Sequence, residues 1–391
     1  MDQKPRQEAL PWAKPFSIDL LLKVLNVTFL HPFVAWMIPL CMRAQAMPWD
    51  HEAIQWAIDY ASLITLLFFL AKLNRQIAYS KSRKVDLSEE VIVITGGASG
   101  LGLLVAEVYG MRGATVAVLD VRDLESGEAR GVSYYKCDVG NREEVARVAI
   151  EIERDLGTPT IIINNAAVVN GKALLDLSLD EIEQNFKVNL LGHFYTLKAF
   201  LPGLIRTGHG TVVTMSSVLG HLGAAQLSDY SASKAGVTAL HHSLTAELKA
   251  YPDIKTVLIE PGQLSTPLFS GTVTPNSFFA PVLEPVDVAK EIIATIDKGS
   301  SAVLAMPLYA RWVGWMGVFP VGVQAIARRV SGIDRAMKTF KGRSNGGEEE
   351  EKGEGGEGRE GRVERRGRKL DIRGDDSVLA LALYLELDWM S

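Results

Sequence analysis

Short apolar runs recur through the middle of the chain, and most are followed by a stretch with helical spacing of its apolar residues. Each run has the length and composition of a buried strand, and the helices between them imply crossover connections. The pattern therefore predicts an α/β fold with a doubly wound, parallel, seven-stranded sheet. The predicted strands cover residues 91–95, 115–120, 132–137, 160–164, 210–216, 254–260 and 302–306.

Two apolar stretches precede this pattern, within residues 1–84. Residues 24–42 contain no Asp, Glu, Lys or Arg and approach the length of about 20 residues that spans a bilayer. Pro32 and Pro39 predict that this stretch bends or spans poorly. Residues 54–73 form the second stretch, and a basic cluster expected on the cytosolic side begins at its end. We interpret residues 1–84 as a helical membrane anchor, either a hairpin in one leaflet or one to two spans. The alternative is a soluble helical extension packed on the domain. The basic cluster consists of Lys72, Arg75, Lys81, Arg83 and Lys84.

Two further regions follow the last predicted strand. Residues 309–343 are too apolar for an ordinary surface tail, and Trp312, Trp315 and Phe319 suit a membrane interface or a dimer contact. Residues 344–391 are largely rich in Gly, Glu and Arg, a composition that cannot bury a core, and we predict a disordered tail.

The bulk composition narrows the function. A net charge of −5 over 391 residues argues against nucleic acid as a partner. Cys41 and Cys137 are the only cysteines, so no disulfide framework can form and a reducing compartment is expected. The histidines show no metal-ligand spacing, and no metal is predicted.

A glycine-rich turn follows the first predicted strand and opens a helix. Gly96 permits a tight turn, Gly100 allows the backbone to approach a pyrophosphate, and Gly102 allows the helix to pack closely on the sheet. The second strand ends in Asp120, whose carboxylate suits the ribose hydroxyls of NAD and repels the 2'-phosphate of NADP. Arg122 blurs this preference, and Asp120 could instead be a simple turn residue.

Tyr230 and Lys234 lie four residues apart, the spacing of neighbours on one helix face. An ammonium beside a phenol favours the phenolate, so we expect Lys234 to lower the pKa of Tyr230 from about 10. Such a tyrosine can exchange a proton with an alcohol or a carbonyl oxygen. Ser217 would reach the same oxygen if a strand ended near it. A solvated Tyr–Lys pair is the alternative.

Together these motifs resemble those of classical short-chain dehydrogenases/reductases over about residues 85–308. The resemblance rests on Thr95-Gly96, Gly100, Gly102, Asn164-Asn165-Ala166, Asn189, Ser217, Tyr230, Lys234 and Pro261-Gly262. Ala167 stands where the family usually has glycine. The resemblance implies a dinucleotide-binding catalytic domain with Asn189, Ser217, Tyr230 and Lys234 as catalytic residues. It implies that Asn189 holds a water linking Lys234 to solvent; an internally satisfied, kinked helix is the alternative.

The cofactor implied by the resemblance and by Asp120 is NAD, with NADP not excluded. Asp138 would contact the adenine, or would cap the following helix, or both. Leu264 and Thr266 would contact the nicotinamide carboxamide. The full set of predicted cofactor-binding residues is Gly96, Ser99, Gly100, Leu101, Gly102, Asp120, Asp138, Asn165, Ala166, Tyr230, Lys234, Pro261, Gly262, Leu264 and Thr266.

Residues 267–285 resemble the family's mobile substrate loop, and their apolar side chains suggest either an apolar substrate or core packing. These side chains are Phe269, Phe278, Phe279 and Val282. With apolar regions on both sides, the chain is similar to the membrane-associated branch that includes retinol and 17-beta-hydroxysteroid dehydrogenases. We therefore expect a homodimer on the endoplasmic reticulum or lipid droplets, facing the cytosol, that oxidises a lipid alcohol. An NADPH-dependent reductase of lipid ketones and an idle membrane or lipid-droplet scaffold are the alternatives.

Overall fold

The sheet predicted from the apolar runs is present in the computed structural model, which describes residues 17–123, 131–272, 278–337 and 339–340. Its strands are all parallel and lie in the order β3-β2-β1-β4-β5-β6-β7. The predicted fold class is thereby confirmed. The strands are β1 Val91–Thr95, β2 Thr115–Asp120, β3 Val132–Lys136, β4 Ile161–Asn164, β5 Gly210–Met215, β6 Ile254–Pro261 and β7 Ala302–Met306. The predicted disordered tail lies outside the described residues.

Helices connect the strands and precede and follow the sheet. The N-terminal ones are α1 Ile18–Val27, α2 Pro32–Ala44 and α3 Glu52–Ala78. Within the sheet region they are α4 Gly100–Met111, α5 Arg142–Asp155, α6 Leu179–Phe186, α7 Gly192–Thr207, α8 Ser228–Glu247 and α9 Pro285–Asp297. After β7 come α10 Ala310–Val313 and α11 Val321–Ser331.

Alternate residues of each central strand enter two separate cores. Ile92 and Ile94 of β1 pack in one core with α4 and α9, whereas Val93 packs in the other with α5, α7 and α8. Successive side chains of a strand point to opposite faces, so a sheet covered on both sides needs apolar residues at nearly every position. This explains why the runs are continuous rather than alternating.

The strand order reverses between β1 and β4, which are direct neighbours. Thr95 pairs in register with Asn164, and Asn164 with Thr214. The carboxyl ends of these strands therefore form one edge, and parallel sheets of this kind bind ligands in the crevice at such a reversal.

The N-cap of α5 is Asn141, whose side chain accepts hydrogen bonds from the backbone N–H groups of Glu143 and Glu144. The alternative that Asp138 caps this helix is wrong. Asp138 lies too early in the chain, and its Oδ1 accepts instead from the N–H of Gly140 at 2.8 Å.

The N-terminal helices expose an unusual amount of apolar surface. Among the described residues, α3 is long and apolar enough to cross a bilayer, and α1 with α2 would add a second span if the pair counts as one. That pair is bent by 58°, so the predicted bend is confirmed. Several apolar side chains of α3 are each more than half exposed, namely Leu66, Leu67, Phe68, Phe69 and Leu70.

The segment after α3 is fastened to the sheet by a buried ion pair. Arg83 Nη1 lies 2.6 Å from Glu90 Oε1, and its Nε donates to Thr211 Oγ1 at 3.2 Å. Both charged side chains are almost fully buried. Arg83 is therefore a buried structural residue, although the sequence grouped it with the basic cluster expected on the cytosolic side.

Candidate active site

A cleft of about 1030 Å³ lies at the carboxyl ends of the central strands. Every predicted catalytic or cofactor-binding residue lines it except Gly102 and Asn189. Gly102 and Asn189 lie behind its wall and act on neighbouring residues. A smaller cleft of about 650 Å³ between β7, His221 and Trp315 contains none of the predicted catalytic or cofactor-binding residues.

The glycine turn at one end of the cleft needs glycine for two different reasons. Gly96 and Gly100 have φ of +64° and +59°, in the left-handed region that other residues rarely adopt. At Gly102, a Cβ would collide with the carbonyl oxygen of Gly96 and lie 2.6 Å from Asn165 Nδ2. The first turn of α4 therefore presses against the turn that precedes it, which leaves a cradle of backbone N–H groups suited to a pyrophosphate.

The end of β4 holds that turn in place. Asn165 Nδ2 donates to the carbonyl oxygens of Gly96 at 3.0 Å and Thr95 at 3.2 Å. In return, Thr95 Oγ1 accepts from the backbone N–H groups of Asn165 and Ala166. Asn165 thus acts on the glycine turn, and its role in the cleft is to fix the shape of the cradle.

Asp120 is buried at the end of β2 with both carboxylate oxygens engaged. Oδ2 accepts from the N–H of Ala98 and Oδ1 from the N–H of Arg122, each at 3.1 Å. The Arg122 guanidinium donates to Ser99 Oγ at 3.1 Å, and its Nε lies 3.9 Å from Asp120. A negative and a positive group therefore stand side by side where the sequence predicted the adenosine ribose.

Tyr230, Ser217 and Lys234 come together in the middle of the cleft. Tyr230 and Lys234 are buried on the same face of α8, and the Lys234 ammonium lies 5.7 Å from the centroid of the Tyr230 ring. Ser217 follows β5 closely and lines the cleft together with Tyr230, and its hydroxyl donates to the carbonyl oxygen of Pro261 at 3.4 Å. Lys234 Nζ donates to the carbonyl oxygen of Met215 at 2.7 Å, which fixes the ammonium against the end of β5.

Burial dominates the electrostatics of this trio. It raises the pKa of the Tyr230 phenol well above its usual value, with the neighbouring Ser217 hydroxyl working in the opposite direction. It also lowers the pKa of Lys234 to about 8. The expectation that Lys234 depresses the pKa of Tyr230 is therefore wrong for the protein groups by themselves: the loss of hydration outweighs any attraction between the ammonium and the phenolate.

Asn189 lies in a π-helical turn, Lys187–Leu191, between α6 and α7. Its Oδ1 accepts from the N–H of Val168 at 2.8 Å, and its Nδ2 donates to the Val168 carbonyl at 2.9 Å. The same Nδ2 lies within hydrogen-bond distance of Asn185 and Ser233. These contacts match the alternative of an internally satisfied irregular helix, and they tie the segment after β4 to α8. The water relay stays a prediction.

The comparisons with known proteins agree with this geometry. The short chain dehydrogenase family profile matches residues 90–276. A Bos taurus protein named short-chain dehydrogenase/reductase family 16C member 6 is 33% identical over 296 residues, 72% of this chain and 92% of that protein. The chain belongs to the short-chain dehydrogenase family. It is therefore an NAD(P)-dependent oxidoreductase acting on alcohol groups, as the resemblance implied.

Two further proteins show how far the likeness to this dehydrogenase extends. Epidermal retinol dehydrogenase 2 from Mus musculus is 34% identical over 277 residues, 68% of this chain and 89% of that protein. The crystal structure of a short-chain dehydrogenase from Streptomyces avermitilis superposes with a TM-score of 0.53 at 25% identity. The superposition covers 64% of this chain and 99% of the Streptomyces avermitilis chain. The solved structure thus resembles only part of this longer chain.

The outer end of the dehydrogenase cleft has an apolar wall beside Tyr230. The Phe269 ring packs edge-on against Tyr230, with centroids 5.8 Å apart, and Leu268 lies beside it. Of the other predicted substrate contacts, Phe279 and Val282 are exposed and do not line the cleft, nor does Phe278. The sequence reasoning missed Phe340, which lines the cleft, and Met337, which is buried against Tyr230. Ile333, Met337 and Phe340 have helical spacing after Gly332, a signal that could have drawn attention to them.

Proposed function

We propose that this dehydrogenase transfers hydride between NAD(P) and a lipophilic alcohol or ketone, such as a retinoid, steroid or other lipid alcohol. The observation that carries the proposal is the burial of Tyr230, Ser217 and Lys234 side by side in one cleft, between a glycine turn and an apolar end. The alternative of a solvated Tyr–Lys pair does not account for the burial of both side chains.

The proposed roles follow from the positions of the side chains. Tyr230 exchanges a proton with the substrate oxygen, and Ser217 holds that oxygen by a hydrogen bond. Lys234 supplies positive charge beside the phenol and would hold the nicotinamide ribose. The bound nicotinamide ring supplies the carbon that accepts or donates hydride. Asn189 is a positioning residue, since its contacts are to Val168, Asn185 and Ser233.

The cofactor would lie from the glycine turn to Pro261 and Gly262, with Asp138 beside the adenine and Leu264 and Thr266 beside the carboxamide. Asp120 favours NAD, because its carboxylate would repel a 2'-phosphate. NAD pools are mostly oxidised in cells, so we propose alcohol oxidation as the direction.

A second candidate, an NADPH-dependent reductase of lipid ketones, is favoured by Arg122. Its guanidinium already lies beside Ser99 and Asp120, where it would pair with a 2'-phosphate. An Arg122→Gln variant separates the two. If NADP is the cofactor, the affinity of the variant for NADP should fall about tenfold or more while its affinity for NAD is unchanged. If NAD is the cofactor, neither its affinity for NAD nor its affinity for NADP should change appreciably. The exposed Arg142→Gln serves as control.

The substrate class rests on the apolar outer end of the cleft and on the name of the mouse relative, which acts on retinol. A membrane location is consistent with such a substrate, because a lipid alcohol is concentrated in the bilayer. We propose that α3 and its neighbours anchor the enzyme to the endoplasmic reticulum or lipid droplets, with the catalytic domain in the cytosol. Trp312, Trp315 and Phe319 would add contacts at the interface.

Vesicle flotation tests the anchor. A Phe68→Lys and Leu70→Lys double variant places two charges on the exposed apolar surface of α3 and should lose most of its membrane-bound fraction. Gln76→Lys, at an exposed position near the end of the same helix, should keep it. Equal flotation of all three proteins would refute the role of α3.

A homodimer through the helices that contain Asn189 and Tyr230 is proposed from the family resemblance, and light scattering of the detergent-solubilised protein measures its oligomeric state.

Replacement of the phenol tests the reaction. Tyr230→Phe removes the proton donor and should lower kcat on lipid alcohols by about 10²–10⁴-fold while leaving dinucleotide affinity nearly unchanged. Tyr251→Phe, a partly exposed tyrosine at the far end of α8, is the matched control. A Tyr230→Phe enzyme that keeps most of its rate would overturn the assignment. A wild-type enzyme that turns over no alcohol or ketone in a broad panel would instead favour the idle scaffold.

A further inference from the structure

The end of α11 and the chain after it lie against the loop that leads into α8. Arg328 donates to the carbonyl oxygen of Gly223 at 2.7 Å and forms an ion pair with Asp334. Asp334 Oδ1 in turn accepts from the backbone N–H of Ala225 at 3.3 Å. Gly223 and Ala225 belong to the loop that leads from Ser217 into α8. Arg328 and Asp334 therefore fasten this segment to the loop before Tyr230, and we name its described residues, 328–337 with 339 and 340, the lid segment.

The end of the lid segment enters the outer part of the cleft. Met337 is only 4% exposed and packs in one apolar cluster with Leu227 and Tyr230. Phe340 joins the same cluster from the cleft wall. Its ring lies so close to Gly171 that any Cβ at position 171 would overlap it.

A third contact joins the lid segment to the substrate loop. Thr339 Oγ1 donates to the carbonyl oxygen of Gly271 at 2.6 Å, two residues after Phe269. The lid segment thus contacts three sides of the outer cleft, namely the loop before α8, the Gly171 backbone and the substrate loop. Its apolar side chains occupy the space next to the phenol that no part of the sheet supplies.

We propose that Phe340 and Met337 determine substrate specificity by setting the width of the cleft beyond the reacting carbon. The proposal rests on the proposed function, since it concerns the alcohol that Tyr230 meets. Tyr230 fixes where the hydroxyl must lie, so the remainder of the alcohol must extend along Phe269 and the lid segment. Slender chains fit beside an intact Phe340 ring, whereas bulky ring systems need the space that the ring fills.

Truncation of the ring tests this assignment. We expect Phe340→Ala to raise the ratio of kcat/KM for a bulky ring alcohol to that for a straight-chain alcohol by about tenfold or more, the range that one or two methylene-sized differences give in an apolar pocket. Met337→Ala should shift the ratio in the same direction. Tyr251→Ala, which removes a partly exposed aromatic ring far from the cleft, should not shift it. An unchanged ratio in Phe340→Ala and Met337→Ala overturns the proposal.

The fastening contacts give a second test that does not alter the wall itself. Arg328→Gln should raise KM for lipid alcohols several-fold with a smaller change in kcat, because the lid segment loses its hold on the loop. Arg328→Lys should restore part of the affinity, and the neighbouring exposed Arg329→Gln should behave as wild type. A loss of kcat with no change in KM would show a general structural role and contradict the proposal.

Failure of the lid proposal and failure of the proposed function give different results. A wild-type enzyme without turnover on any alcohol refutes the proposed function. The specificity ratio is then measured as binding of the same two alcohols by calorimetry, and an equal ratio in wild type and Phe340→Ala still refutes the lid proposal. If Phe340→Ala does not fold, Phe340→Leu replaces it, with a smaller expected shift of the same sign.

Discussion

Lys234, a proposed catalytic residue, is expected to lower the stability of the folded protein. Its ammonium is almost fully buried and donates a hydrogen bond to the carbonyl oxygen of Met215. Burial lowers its pKa from 10.5 to about 8. At 1.36 kcal/mol for each tenfold change, keeping this lysine charged costs the folded state roughly 3 kcal/mol relative to the unfolded chain.

Lys234→Met removes that cost and fills a similar volume with an apolar side chain. The variant also leaves the Met215 carbonyl without its donor, a loss of about 1–2 kcal/mol. The net expectation near pH 7 is a gain of about 1–2 kcal/mol in the free energy of unfolding. At about 2–4 °C per kcal/mol for a domain of this size, Tm should rise by roughly 2–8 °C. Turnover should be lost, because the phenol loses its charged neighbour.

The pH dependence identifies the cause. A lowered pKa means that the unfolded chain binds more protons than the folded protein between pH 8 and 10.5. Wild-type stability attributable to this group therefore rises with pH through that window, and the advantage of Lys234→Met is largest below pH 8. Above pH 10.5 only the missing hydrogen bond remains, so the variant should become the less stable protein.

Thermal unfolding in detergent, recorded with wild type and variant in parallel from pH 7 to 10.5, measures the difference. Lys249→Met, an exposed lysine just after the same helix, controls for the change in net charge. A Lys234→Met protein less stable than wild type at pH 7 would refute the reasoning. So would a difference in Tm that does not change with pH.

Two further substitutions test the cradle and the attachment of the N-terminal region. Gly102→Ala should lower the free energy of unfolding by about 1–3 kcal/mol through overpacking and should weaken dinucleotide binding. Gly322→Ala, where a Cβ meets open space, should do neither. Equal dinucleotide affinity of the two variants in titrations would contradict the proposed cradle. Arg83→Met removes the cationic partner of the buried Glu90 carboxylate and should lower the free energy of unfolding by about 3–5 kcal/mol, measured as a fall in Tm. A fall no larger than that of the exposed Arg142→Met would contradict a structural role for the pair.

The sheet could be predicted closely because burial on both faces leaves a direct mark on the sequence. Each strand differs from its predicted limits by at most one residue, as in β3, which ends at Lys136, and β6, which continues to Pro261. The glycine turn is equally readable, since Gly96 and Gly100 need positive φ and Gly102 needs the absence of a Cβ. Local backbone requirements leave few residue choices.

Competition between nearby polar groups was harder to predict. Asp138 and Asn141 both precede α5, and both accept hydrogen bonds from backbone N–H groups two residues on. Which one caps the helix depends on where the helix begins, and helix starts are uncertain by a few residues. The electrostatics of Tyr230 posed a similar difficulty, because the spacing to Lys234 gives proximity but carries no information on how much hydration both groups lose.

The lid segment could not be placed from sequence for a different reason. Ile333, Met337 and Phe340 have the spacing of one helix face, but spacing does not reveal what a segment contacts. The contacts of the lid segment are distant in the chain: Arg328 and Gly223, for example, are 105 positions apart. The sheet core needs apolar residues at nearly every position, so it leaves little freedom for variation. The lid segment is held by a few hydrogen bonds to loop backbone and by apolar contacts, and it can change without disturbing that core. Selection for a different alcohol would therefore act most easily on the lid segment, and the side chains that we propose to contact the substrate lie where sequence reasoning is weakest.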